Sequence, residues 1–159
     1  MPRTAKHNHD HNHKVNIDHL IASVQKMANE RGERMTDVRR DVLMALSLLK
    51  EPRGAYQILA DINKKRTVKL SAMSLYRTLD FLIEIGVVIK LESHNTYQLC
   101  GERGHNHSHL IMICDVCGEA RDVNDSSASK TLLNLARKHS HVLSHHVVEL
   151  HGSCVDCKV

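Results

Sequence analysis

Two Cys-x-x-Cys pairs, Cys114 with Cys117 and Cys154 with Cys157, constrain this chain more than any other feature. Two thiolates separated by two residues grip one metal ion from a tight turn, and two such pairs complete the tetrahedral four-sulfur site that zinc favours. The 36 residues between the pairs exceed the spacing of a minimal zinc ribbon, so a sheet and a helix must fold to bring the pairs together. Other uses of such pairs fit poorly. A redox pair opens a helix after a strand, whereas Gly118 and the β-prone residues after Cys117 favour a turn between strands. The zinc deaminase pattern is missing: no His is followed two residues later by Glu, and no Pro precedes either pair. With no His-Glu-x-x-His helix either, the chain is read as a metal-holding protein and not an enzyme.

All five cysteines and nine of the fourteen histidines follow residue 93. In a reducing compartment such clustering points to metal sooner than to disulfides. A cytoplasmic location without a membrane partner is expected, because no apolar run approaches spanning length and the N-terminus is rich in His and Asn where a signal peptide would be apolar. Charge divides unevenly. Residues 1–92 carry 16 Lys and Arg against 11 Asp and Glu, whereas residues 93–159 carry 6 against 7. A basic half beside a neutral one suggests a polyanion partner for the first, against the alternative of an ordinary solvated surface.

The apolar pattern supplies the elements. His7, His9, His11 and His13 alternate with Asn and Asp in a segment without apolar periodicity, so residues 1–16 are expected to be a disordered tail, either solubilising or weakly metal-collecting. Ile17, Leu20, Ile21, Val24, Met27 and Ala28 recur at helical steps before Gly32. Thr36 can cap a second helix that ends before a turn at Pro52 and Gly54. A third helix covers Ala55 to about Lys64, and Ser71 can cap a fourth that runs to Gly86. Two β-prone runs then flank Ser93-His94-Asn95 and form a hairpin. Helices followed by such a hairpin suggest a winged helix, whose last helix enters the major groove of DNA. Beyond it, strands at Leu110–Cys114, Ala120–Val123 and His146–His151 surround a helix capped by Asp125 or Ser126, giving a small sheet with one helix on it.

A second metal group is suggested by Cys100, His105, His107 and His109, with Asp122, Glu92, His94, His145 and His146 available nearby. Thiolate with imidazole favours zinc over ferrous iron or manganese, and a mixed site empties more readily than a closed thiolate cage. The alternative is a loop of solvated histidines beside an inert Cys100. On the fourth helix, Ala72, Leu75, Tyr76, Leu79, Leu82 and Ile83 form the apolar stripe, which leaves Ser74, Arg77, Thr78 and Asp80 on other faces. Arg77 stands where a side chain would reach a base edge, most often guanine. Tyr76 is open between a core ring and a phosphate-reaching hydroxyl.

Several segments now combine into a resemblance: Ala55-Tyr56, Leu75-Tyr76-Arg77-Thr78-Leu79-Asp80-Phe81-Leu82, Lys90-Leu91-Glu92-Ser93, Cys114-x2-Cys117-Gly118 and His151-Gly152-x-Cys154-x2-Cys157. In this order they resemble the ferric uptake regulator family over roughly residues 17–157, and its zinc uptake regulator branch in particular. The resemblance implies an α+β fold, with a winged-helix DNA-binding domain at 17–92, a wing end, hinge and metal-sensing loop at 93–109, and a small α/β dimerisation domain at 110–159. It implies a homodimer that binds palindromic operator DNA when zinc-loaded and represses zinc-uptake genes. Two zinc ions per chain follow, one structural at Cys114, Cys117, Cys154 and Cys157, and one regulatory at Cys100, His107 and Asp122. The branch can carry a fourth, histidine ligand where this chain has Ile89, so His105, Glu92 or His94 must complete the site. Tyr56 and Arg77 match DNA-contacting positions, and Ser74 and Tyr76 lie beside them. An iron, manganese or peroxide sensor of the same family and a zinc storage or delivery protein are the competing readings.

Overall fold

A computed structural model describes residues 16–49, 51–100, 109–143 and 147–157. The His-rich tail, His105, His107, His145 and His146 lie outside the described residues. The elements run α1 (Ile17–Glu30), α2 (Asp37–Ser47), β1 (Arg53–Gly54), α3 (Ala55–Lys65), α4 (Ala72–Glu84), β2 (Val88–Leu91) and β3 (Thr96–Leu99), then β4 (His109–Cys114), β5 (Ala120–Val123), α5 (Ser126–Lys138) and β6 (Val147–Gly152). The chain is therefore α+β, with four helices and one small sheet followed, among the described residues, by a second sheet and a fifth helix. No helix among the described residues is long and apolar enough to cross a membrane.

Helix starts follow the capping chemistry. Thr36 Oγ1 accepts from the Arg39 N–H at 3.2 Å, Ser71 Oγ from that of Ser74 at 3.2 Å, and Asp125 from those of Ser127 and Ala128 at 2.8 and 3.0 Å. Each bond satisfies a donor that the first helical turn leaves unpaired. The apolar stripes of the first four helices then meet in one core, in which Leu20, Leu43, Ile58, Leu75, Leu79 and Leu82 are buried. Between α3 and α4, the Asn63 side-chain amide donates to the Leu70 carbonyl at 3.0 Å and its oxygen accepts from the Leu70 N–H at 2.7 Å. That pairing imitates a strand partner and fixes the turn that launches α4. Arg66 in the same turn pairs with Asp41 of α2.

The first sheet has the order β1-β3-β2, all antiparallel. Its short β1 replaces part of the expected turn at Pro52 and Gly54: Arg53 and Gly54 pair with Tyr97 and Thr96, a two-residue strand too short to produce any alternation in the sequence. The second sheet has the order β5-β4-β6, antiparallel on one side and parallel on the other. A small apolar cluster joins the halves, because Ile89 and Leu91 of β2 pack with Cys100 against Ile111 and Ile113 of β4. The helix expected to lie on the second sheet differs from expectation. Among the described residues of the single chain, no α5 residue is buried, Leu132 and Leu133 are half-buried and Leu135 is exposed. Its leucines find too little of the sheet within one chain to cover them.

Asn63→Ala should lower the unfolding free energy by about 1–3 kcal/mol, since it leaves two partly buried backbone groups of Leu70 without their partner. Denaturant-induced unfolding followed by far-ultraviolet circular dichroism measures this.

Candidate metal centres and nucleic-acid interface

The parallel pairing of β4 with β6 brings the two Cys-x-x-Cys turns together. Its register sets Cys114 opposite Gly152, so the turn after β4 and the turn after β6 leave the sheet side by side. The Asp115 N–H donates to the Gly152 carbonyl at 2.8 Å, and the Cys154 N–H donates to the Cys114 sulfur at 3.3 Å. The first turn closes through the Gly118 N–H on the Cys114 carbonyl at 2.8 Å, with Gly118 at φ 75°, where a side chain would be strained. The four sulfurs of Cys114, Cys117, Cys154 and Cys157 lie within 4.8 Å of one another. Zinc–sulfur bonds of about 2.3 Å in a tetrahedron fit inside that span.

The electrostatics of the cluster suit a cation. Backbone N–H groups, that of Cys154 first and that of Cys117 next, hold the Cys114 thiol down to about 6. Hydrogen bonds to the neighbouring Cys154 and then Cys117 side chains push Cys157 up instead, because they favour its protonated form. Only a bound cation lets all four ionise together.

The second group of donors sits on the boundary between the halves. Cys100 follows β3, with its N–H on the Val87 carbonyl at 2.9 Å, and is buried. His109 opens β4, and Asp122 lies opposite Ile111 in the β4–β5 pairing, on the sheet face that His109 shares. The Cys100 sulfur is 3.7 Å from His109 Nε2, and His109 Nδ1 is 3.1 Å from Asp122 Oδ2. The Asp122 carboxylate and then the Cys100 sulfur raise the pKa of His109 to about 10. All three ligand atoms converge within 4.8 Å, a soft and hard donor set that suits zinc.

Of the residues expected here, Cys100 and Asp122 meet. Their imidazole partner among the described residues is His109, a histidine of the suggested loop that the family match passed over in favour of His107. The start of β4 fixes His109, whereas His105 and His107 lie outside the described residues. Glu92 and His94 are engaged elsewhere: Glu92 with Lys90 at 2.6 Å, His94 with Ser93 at 2.9 Å and stacked on His151. Ile89, at the position of the branch's histidine ligand, is buried in the apolar cluster between the halves.

Comparison with known proteins decides the family. Residues 30–151 match the model of the ferric uptake regulator family. The chain belongs to this family. The zinc uptake regulation protein of Escherichia coli strain K12 is 34% identical over 145 residues, covering 91% of this chain and 84% of that protein. A solved zinc uptake regulator complexed with zinc and DNA is 33% identical, with a TM-score of 0.79 over 89% of this chain and 95% of that one. The regulator XcZur, 30% identical, matches in its holo crystal structure with a TM-score of 0.75 over 88% of this chain and 97% of that one. Its apo structure matches with only 0.51, over 89% and 97%. The arrangement of this family member is thus nearer to the holo form.

The same family frame organises the basic half. Tyr56, at the start of α3, is 72% exposed, and Arg77 is exposed on the outer face of α4. Met73, four residues before Arg77 and absent from the expectation, shares that face and is exposed as well. Ser74 has its N–H and hydroxyl turned to Ser71, and Tyr76 packs against the first core, which favours the structural role for its ring. Thr78, expected on an outer face, is buried. Its hydroxyl donates to the Ser74 carbonyl at 2.9 Å, so the helix itself satisfies the group.

Cys117→Ser is expected to remove one zinc per chain and unfold the second half, because metal binding at such a site is coupled to folding. His109→Ala should remove the other zinc and leave the fold intact, whereas Glu92→Ala should change nothing. Elemental analysis with size-exclusion chromatography reads all three.

Proposed function

We propose that this chain is a zinc-responsive transcriptional repressor, which binds palindromic operator DNA as a zinc-loaded homodimer and represses zinc-uptake genes. The observation that carries the reading is the position of the Cys100, His109 and Asp122 cluster. Cys100 directly follows the wing strand of the basic half, while His109 and Asp122 belong to the second sheet. Zinc, when bound, supplies a dication that these three residues share across the boundary. A ligand shifts an equilibrium only through its differential affinity for two states. Donors divided between two halves meet this condition, since they converge when the halves close and separate when they part. His105 and His107 are proposed as further donors from the adjoining loop, and the four cysteines as the structural zinc site, giving two ions per chain. The family's zinc-bound and DNA-bound relatives support both the metal and the nucleic acid.

A second copy of the chain supplies the missing cover on the second half. Met112 and Leu150 lie opposite each other in the β4–β6 register and are nearly half exposed, and Leu135 of α5 is slightly more so. An isologous dimer buries such surfaces and matches the two-fold symmetry of a palindromic site.

Gel shift against duplexes enriched from a random pool, with zinc, ferrous iron or manganese added to metal-free protein, tests the reading. Zinc alone should give tight, sequence-selective binding. Preferential activation by iron or manganese would assign a different sensed metal, and zinc binding without DNA selectivity would favour a storage or delivery protein. In the same assay Arg77→Ala should weaken the enriched duplex by about 1–3 kcal/mol and relax one base preference. Equal weakening on random DNA would make Arg77 a phosphate contact.

A further inference from the structure

Glu149 lies in the middle of β6, in the second half, yet its carboxylate serves the wing. One oxygen accepts from the Glu92 N–H at 2.7 Å and the other from the Ser93 N–H at 3.2 Å, across 57 and 56 residues of sequence. The side chain is only 13% exposed. Burial pushes its carboxyl up, but the hydrogen bonds from Ser93 and Glu92 outweigh it, leaving the group below the usual carboxylate range and ionised. Two charge-assisted bonds from adjacent amides to one carboxylate are directional and strong.

The surroundings hold Glu149 in place. Its β4 partner in the register is Ile111, the residue against which the wing strand packs. Two positions along β6, His151 has Nε2 3.7 Å from Glu149 and Nδ1 2.9 Å from Asp115, which lies inside the Cys114–Cys117 turn. The His151 ring stacks on His94 of the wing turn, with centroids 5.7 Å apart. A continuous set of contacts thus runs from the four-sulfur cluster through Asp115, His151 and Glu149 to Glu92 and Ser93.

Beside the apolar packing of Ile89 and Leu91 on Ile111 and Ile113, two groups of polar side chains reach the wing among the described residues. Cys100, at the base of the hairpin beside Val87, meets His109 and Asp122, whereas Glu92 and Ser93, at its turn, meet Glu149. On the second sheet Asp122 and Glu149 flank Ile111 from either side, about 10 Å or two strand spacings apart. Apolar packing is non-directional, whereas hydrogen bonds at the turn and donors at the base together fix the direction of the wing.

We propose that Glu149 is a positioning residue for operator binding, a carboxylate latch that fixes the wing turn to the second sheet and complements the metal cluster at the hairpin base. The proposal rests on the repressor reading. It predicts that losing the latch impairs DNA binding without changing the metal content.

Full-length parent, Glu149→Ala and Glu149→Gln are compared at saturating zinc, with a duplex enriched from a random pool by the zinc-loaded parent. Both variants should remain dimeric and bind as much zinc as the parent. The Ala variant should bind the duplex about tenfold to a hundredfold more weakly. The Gln variant, which keeps one carbonyl acceptor, should lie between. Hydrogen exchange supplies the direct readout: the Glu92 and Ser93 amides should be protected in the parent and lose protection in the Ala variant. Parent-like DNA affinity in the Ala variant would overturn the proposal, as would equally fast exchange of both amides in parent and variant. Joint loss of zinc, dimer and DNA binding in both variants would make Glu149 a folding residue and overturn it too. A zinc-loaded parent that enriches no sequence would refute the repressor reading and the positioning role with it, an outcome distinct from a binding parent matched by its variant.

Discussion

The parallel pairing of β4 with β6 is the constraint on which the rest of the second half depends. Parallel neighbours need a crossover, here through β5 and α5, so the two Cys-x-x-Cys turns can be far apart in sequence and adjacent in space. The same register sets Glu149 and His151 opposite Ile111 and Ile113, on the side of the sheet that receives the wing strand. A sheet of three short strands buries little on its own and gains from a staple. The four-sulfur cluster lies at the end of the pairing that most needs one.

Among the described residues, the contacts between the halves are of different kinds. Apolar packing of Ile89 and Leu91 against Ile111 and Ile113 is indifferent to ligand, the Glu149 latch is a fixed charge-assisted contact, and the proposed metal group of Cys100, His109 and Asp122 gains cohesion when a cation arrives. A metal acting at a boundary already held by other contacts needs to supply only the remaining free-energy difference. Ile89 fits this division, since it contributes burial between the halves and no donor.

Local chemistry made much of this legible in the sequence. Thr36, Ser71 and Asp125 announce helix starts because capping depends on residues three positions apart, and the cysteine pairs announce their site because a tetrahedral thiolate cage has few alternatives. What escaped depends on distance in the chain. The place of His109 in the cluster rests on where a strand begins, β1 on its pairing with a strand far along the chain, and the Glu149 latch on a register between strands that sequence alone does not set. Thr78 escaped for a local reason, since a hydroxyl satisfied by its own helix lets a polar residue enter the core. The helix α5 was legible from its cap, but the exposure of its leucines in a single chain was not.

The central claim is that metal at the boundary cluster closes one half of the chain against the other. Small-angle X-ray scattering of metal-free protein, followed against zinc equivalents bound per chain, tests it most directly. The account predicts that the first equivalent establishes the dimer mass and that the second compacts the particle at constant mass, with the second step absent in Cys100→Ser. A second equivalent that binds without changing the scattering profile, or compaction that persists in Cys100→Ser, would contradict it.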